Sequence, residues 1–98
     1  KSANSICDAL LVPQPGMITF PINKFILNGG LSVSDDEVKH AIIELAENIK
    51  IVAEPGGAVA AAALLTNKID VKNKNIVVMI SGGNIDYNLF SAIVSSNK

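Results

Sequence analysis

The sequence predicts an α/β fold in which short parallel strands alternate with helices, and three observations carry that expectation. The first is Ile76-Val77-Val78-Met79-Ile80, an unbroken apolar run cut off by Ser81-Gly82-Gly83-Asn84. Such a run is the pattern of a strand covered on both faces in the middle of a parallel sheet. The second is the capping box Ser34-Asp35-Asp36-Glu37, with Ser34 as N-cap and Glu37 reaching back from the third helical position. The third is order: the short apolar tracts Leu31-Ser32-Val33 and Ile51-Val52-Ala53 each precede a helical pattern, and alternation of this kind argues for layered α/β architecture.

Taken in turn, Ser5 to Val12 is a short apolar run holding one acid, Asp8, and Pro13-Gln14-Pro15-Gly16 closes it as a turn. Pro21 suits the first turn of a helix through Leu27, with Thr19 as its candidate cap and Asn28-Gly29-Gly30 as its end. Behind the capping box, Val38, Ile42, Leu45 and Ile49 recur at helical spacing, which predicts a helix from about Asp35 to Asn48. An Ala-rich helix is expected from Ala58 to about Thr66, after the turn Glu54-Pro55-Gly56-Gly57. Asn67 to Asn75 is a polar connection, the strand Ile76–Ile80 should be buried, and a last helix runs from Asp86 to about Val94.

Ninety-eight residues make one small unit, and a chain this short buries only about 60–65% of its unfolded surface. With 49% hydrophobic residues and a mean hydropathy of +0.39, part of its apolar surface is expected to pack on further chain or on a second subunit. The net charge of -1 is scattered, with no basic stripe, which argues against nucleic acid. No apolar run approaches the roughly 20 residues of a membrane span. The start, Lys1-Ser2-Ala3-Asn4, lacks the apolar core of a signal peptide. The single cysteine, Cys7, excludes an internal disulfide and fits a reducing compartment. A cytoplasmic protein is therefore expected.

Several residues are candidates for chemistry, each with a plainer alternative. Ser81-Gly82-Gly83-Asn84 lies where ligands of open α/β sheets sit, beyond the carboxyl end of a strand; the alternative is a tight turn in which glycine supplies positive φ. Glu54 closes an apolar run, where a carboxylate needs a reason to be tolerated; the alternative is an acid favoured by a helix N-terminus. Asp8 is likewise an acid in an apolar run, or else an N-cap or exposed turn residue. Cys7 has no neighbouring base to lower its pKa and reads as a small buried residue. His40, flanked by Glu37 and Glu44, reads as part of a solvated helix-face pair. With no HExxH or CxxC no metal site is expected, and the acids Asp35, Asp36, Glu37, Glu44 and Glu47 read as a solvated face and a cap.

The order of these motifs is more specific than any one of them. Ser5-Ile6-Cys7-Asp8-Ala9-Leu10, Pro15-Gly16-x-x-Thr19-Phe20-Pro21-Ile22, Val33-Ser34-Asp35-Asp36-Glu37, Val52-Ala53-Glu54-Pro55-Gly56-Gly57-Ala58 and Val78-Met79-Ile80-Ser81-Gly82-Gly83-Asn84-Ile85-Asp86 follow one another along almost the whole chain. Together they resemble the C-terminal third of the threonine/serine dehydratases, the family that includes serine racemase.

The resemblance implies the C-terminal part of the large domain of a fold-type II enzyme, similar to tryptophan synthase β, that uses pyridoxal 5'-phosphate. It implies that residues 1–98 form a single segment of a catalytic domain with no regulatory domain after it. By the same resemblance Ser81 hydrogen-bonds the pyridine nitrogen of the cofactor, Gly82 and Gly83 admit the ring edge, and Glu54 stands beside it. Asp8-Ala9 matches an Asp-Gly pair lining the pocket, and Ala9 departs from that glycine. A neutral hydroxyl does not hold a proton on the pyridine nitrogen as an aspartate would, so the ring is a milder electron sink. That setting suits β-elimination of a hydroxyl from threonine or serine to give a 2-oxo acid and ammonia.

The family's Schiff-base lysine lies in an S-F-K-x-R-G motif, and its phosphate sits in a glycine-rich loop; neither occurs here. This chain is thus expected to carry no catalytic residue of its own and to be inactive alone. Its partners would be the remainder of the enzyme, a small amino-acid substrate and other copies in a homo-oligomer. Serine or hydroxyaspartate racemase activity is an alternative within the family, and a non-catalytic small α/β binding module is an alternative outside it.

Overall fold

The computed structural model describes residues 4–96. Among these residues four helices carry the fold: α1 (Thr19–Ile26), α2 (Asp35–Ile49), α3 (Val59–Leu65) and α4 (Tyr87–Ser95). Two single 3-10 turns, Asp8–Leu10 and Gly56–Ala58, lie against each other.

Helix α2 is the axis of the core. Its capping box forms as expected: the Glu37 N–H donates to Ser34 Oγ at 3.2 Å and the Ser34 N–H donates to Glu37 Oε2 at 2.7 Å. These bonds satisfy end groups that the helix itself cannot. Val38, Ala41, Ile42 and Leu45 sink one face of α2, with Ile43 beside them. Helix α3 packs on that face through Ala61 and Ala62, whose small side chains let the backbones approach. Helix α4 closes the far side through Ile93, and Asp86 caps it by accepting the Leu89 N–H at 2.9 Å. Cys7 is buried in the same cluster.

Helix α1 begins one residue earlier in its register than Pro21 suggested. Thr19 is the first helical residue and Ile18 precedes it with no side-chain cap, so the capping role expected of Thr19 is not realised. None of its residues is buried, and among the described residues it packs on no other helix.

The expected strands do not form: no β-strand occurs among the described residues. Leu31–Val33, Ile51–Ala53 and Ile76–Ile80 are present as irregular tracts. Nor is Ile76–Ile80 buried. Val77 is 91% exposed and Met79 71%, whereas Val78 and Ile80 lie half-buried against the core. This period of two is the signature of an extended chain with one face covered.

The physical reason is the lack of a ladder. A parallel pair needs evenly repeated bonds between neighbouring chains. Only the Glu54 N–H to Gly82 carbonyl bond, at 3.0 Å, links the tracts at 51–54 and 76–83. A cleft of about 410 Å³ lined by Leu45, Ile49, Ile51, Leu64, Val78 and Ile80 lies between them.

The chain therefore forms a slab, 43 × 38 × 21 Å. Its accessible surface is 7502 Å², whereas a compact monomer of 10.2 kDa shows about 5,300 Å². Part of that surface is apolar: Met17, Phe25, Val77 and Met79 are largely exposed.

Candidate functional site

The two glycine turns meet. Glu54 leads into the 3-10 turn at Gly56–Ala58, and its backbone carbonyl accepts the Ala58 N–H at 3.0 Å. Its own N–H is tied to Gly82, as above, and its carboxylate Oε2 accepts the Asn84 N–H at 3.1 Å. Glu54 is half-buried, and its acid finds its reason in the backbone of the second turn rather than in a helix dipole.

Glycine is required here for space. No glycine among the described residues has a positive φ, so the tight-turn explanation from left-handed backbone is set aside. A Cβ on Gly57 would run into the Gly82 carbonyl oxygen, and one on Gly83 would lie 2.5 Å from the Val52 oxygen. At Gly82 it would lie 2.8 Å from the Glu54 carboxyl carbon. Contacts this short force something to move.

Asp8 and Ala9 reach the same neighbourhood from the amino-terminal side. Their 3-10 turn packs on Gly56–Ala58, where a Cβ on Gly56 would sit 3.4 Å from the Ala9 Cβ, ordinary contact. Asp8 is an exposed turn residue whose Oδ1 accepts the Ala9 N–H at 2.8 Å. Ser81 is exposed beside Gly82, and among the described residues its hydroxyl has no hydrogen-bond partner. All six candidate residues thus fall on two linked turns and the 3-10 turn against them.

The anchoring of Asp8–Ala9 was not evident in the sequence. Asp35, read as a solvated cap residue, accepts from Ser5 Oγ at 2.5 Å and from the Ile6 N–H at 3.1 Å. The Ser5 hydroxyl, then the Ile6 N–H, hold its carboxyl below the usual range. The only hint is that Asp35 stands in the first turn of a helix, where an acid also meets backbone donors.

The expected His40 pair does not form. Glu37 is engaged by Ser34 and by Lys68, 3.1 Å away, and Glu44 accepts from the Asn48 amide at 2.7 Å. Among the described residues no three of His, Cys, Asp and Glu gather as metal ligands. Among them also, no helix is long and apolar enough to cross a membrane.

Residues 1–82 match the family described as "Pyridoxal-phosphate dependent enzyme". The chain belongs to that family. It is 42% identical over 91 residues to the L-threonine ammonia-lyase of Thermotoga maritima, covering 93% of this chain and 22% of that protein. It is 37% identical over 95 residues to L-threonine dehydratase catabolic TdcB of Escherichia coli K12, covering 95% of this chain and 29% of the relative. Among solved structures it resembles the serine racemase of Dictyostelium discoideum with a TM-score of 0.78 and 39% identity, over 88% of this chain and 28% of that one. The chain spans about a quarter of the length of the curated relatives it matches. The family depends on pyridoxal phosphate, and these likenesses support the fold-type II assignment for the segment, although its own tracts pair into no sheet.

Proposed function

We propose that residues 1–98 form one segment of the catalytic domain of a threonine/serine ammonia-lyase and supply the pyridine-nitrogen side of its cofactor site. The observation that carries this reading is the joining of the Glu54 and Ser81 turns, which leaves the Ser81 hydroxyl exposed and, among the described residues, without a partner, beside a turn pinned by the Glu54–Asn84 bond. A neutral donor held in place with an open hydrogen-bonding capacity fits an aromatic ring nitrogen.

Pyridoxal 5'-phosphate, when bound, supplies the electron sink that lets an amino acid lose its α-proton. Ser81 would hold the pyridine nitrogen through its hydroxyl and orient the ring without charging it. Gly82 and Gly83 would leave the backbone of that turn free of side chains toward the ring, and Glu54 and Asp8 with Ala9 would border the pocket. No residue of this segment takes the α-proton; that base is the lysine of the S-F-K-x-R-G motif, which the 98 residues do not contain. Loss of the β-hydroxyl as water would leave an enamine, and hydrolysis of its imine form by water would give the 2-oxo acid and ammonia. The remainder of the enzyme chain and further copies in a homo-oligomer cover the exposed apolar surface. The single free cysteine, Cys7, suits a cytoplasmic setting.

The likeness to a serine racemase favours a second reading, inversion of serine or hydroxyaspartate at the same site. A non-catalytic binding module has no such observation behind it. In the full-length protein, Ser81→Ala should leave the fold intact while weakening cofactor retention and turnover, since it removes a hydrogen bond of about 0.5–1.5 kcal/mol. Assays for 2-oxo acid and for D-serine separate the two activities. The 98-residue chain should release no 2-oxo acid from L-threonine or L-serine with added cofactor, because a positioned general base alone contributes about 10²–10⁴-fold. A Ser81→Ala enzyme that keeps its cofactor and its rate would overturn the assignment.

A further inference from the structure

We infer that Glu54 is a positioning residue that clamps the Ser81–Asn84 turn and so fixes the Ser81 hydroxyl, an inference that rests on the role proposed for Ser81. The clamp has two arms. The Glu54 backbone N–H holds the Gly82 carbonyl at 3.0 Å, and the Glu54 carboxylate holds the Asn84 N–H at 3.1 Å. One residue thus grips the turn on both sides of Gly83, and Gly83 is pressed against the Val52 carbonyl. Ser81 is bonded to the nitrogen of Gly82, the residue whose carbonyl is gripped first, so the two arms restrict where its Cα can lie.

The carboxylate arm explains the residue at 82 as well. The three nearest atoms to a Cβ built there are Cδ, Oε1 and Oε2 of Glu54, at 2.8, 2.9 and 3.1 Å. Since Gly82 has no positive φ, an alanine there meets no backbone strain; its methyl group displaces the Glu54 carboxylate. Among the described residues no cation pairs with that carboxylate, so the Asn84 N–H is the anchor that is lost.

Gly82→Ala and Glu54→Ala should therefore damage the enzyme through one event. The experiment uses the full-length enzyme loaded with pyridoxal 5'-phosphate, with cofactor Kd by equilibrium dialysis, cofactor absorbance, and kcat and KM read together. Glu54→Ala should weaken cofactor binding about tenfold and lower kcat with it. Glu54→Gln, which keeps an acceptor oxygen, should recover most of the loss. Gly82→Ala should resemble Glu54→Ala, and the double variant should be no worse than either, because the methyl group then has open space. Circular dichroism confirms that each variant folds.

Additive losses in the double variant, or Glu54→Gln no better than Glu54→Ala, would overturn the clamp while leaving the role of Ser81 standing. Ser81→Ala with unchanged cofactor Kd would overturn both. Two variants at different positions keep the clamp open to refutation even if one of them fails to fold.

Discussion

Helices α1 and α2 are both apolar on at least one side and end in opposite surroundings. Along α2, Val38 and Ile42 are almost wholly removed from water, against α3 and α4. Along α1, Phe25 is 90% exposed, and Phe20, Ile22 and Ile26 also face solvent. The difference lies in what stands opposite. Helix α2 finds Ala61, Ala62 and Ile93 across a short distance, and α1 finds no other helix among the described residues. An apolar pattern specifies a face to be covered and leaves open what covers it.

The largest expected effect tests that contrast directly. In the 98-residue chain Ile42→Ala should cost about 2–5 kcal/mol, the loss of a buried side chain plus a cavity. Phe25→Ala should stay within about 0.5 kcal/mol, as for a surface change. Urea unfolding of both variants checks this, and equal losses would mean that α1 is packed after all. A second, smaller effect concerns how α2 starts. Ser34→Ala should cost about 0.5–2 kcal/mol, read as a lowered melting temperature, whereas Ile18, which precedes α1 with no side-chain bond, should tolerate alanine with little change.

The smallest effect is one of pH and sharpens the contrast by tying α2 to its neighbours. The Ser5 hydroxyl and Ile6 N–H lower the pKa of Asp35, and the Ser34 N–H with the Lys68 ammonium lowers that of Glu37. In both cases the unfolded chain binds protons first, so stability rises with pH across that window. The contribution is full above the ordinary carboxylate range. It fades as the pH falls below about 4. Melting curves between neutral and acid pH should show this decline, and Asp35→Asn should flatten it; salt should weaken the Glu37–Lys68 part.

What was legible in the sequence follows from the range of the interactions involved. The capping box and the helices around Val38–Ile49 and Tyr87–Ser95 are local, written in residues three and four apart, and they formed within a residue or two of expectation. The end of α2 ran slightly further, to Ile49, because Lys50 takes the left-handed conformation at φ 60°; no glycine marks it. The expected strands do not form among the described residues for the opposite reason. Ile76–Ile80 has the composition of a central strand, but a ladder is a property of two chains, and composition is silent about the second. The site lies between these cases. That Glu54 and Ser81 belong together was expected from motif order, and the structure brings their turns into contact. That Glu54 reaches the Asn84 N–H, thirty positions away, and that the glycines answer to neighbours rather than to φ, needed coordinates.

The bond from Asp35 to Ser5 and Ile6 also has a topological consequence. It pins together the two ends of a long excursion that leaves the core after Leu11 and returns at Val33, with α1 at its middle. A tether of this kind separates the length of the excursion from the stability of its roots, because loop-closure entropy grows only logarithmically, about 0.6 kcal/mol for each doubling. The α1 excursion is therefore a place where chain can be inserted, shortened or re-surfaced while the turn bearing Asp8 and Ala9 stays seated on Gly56.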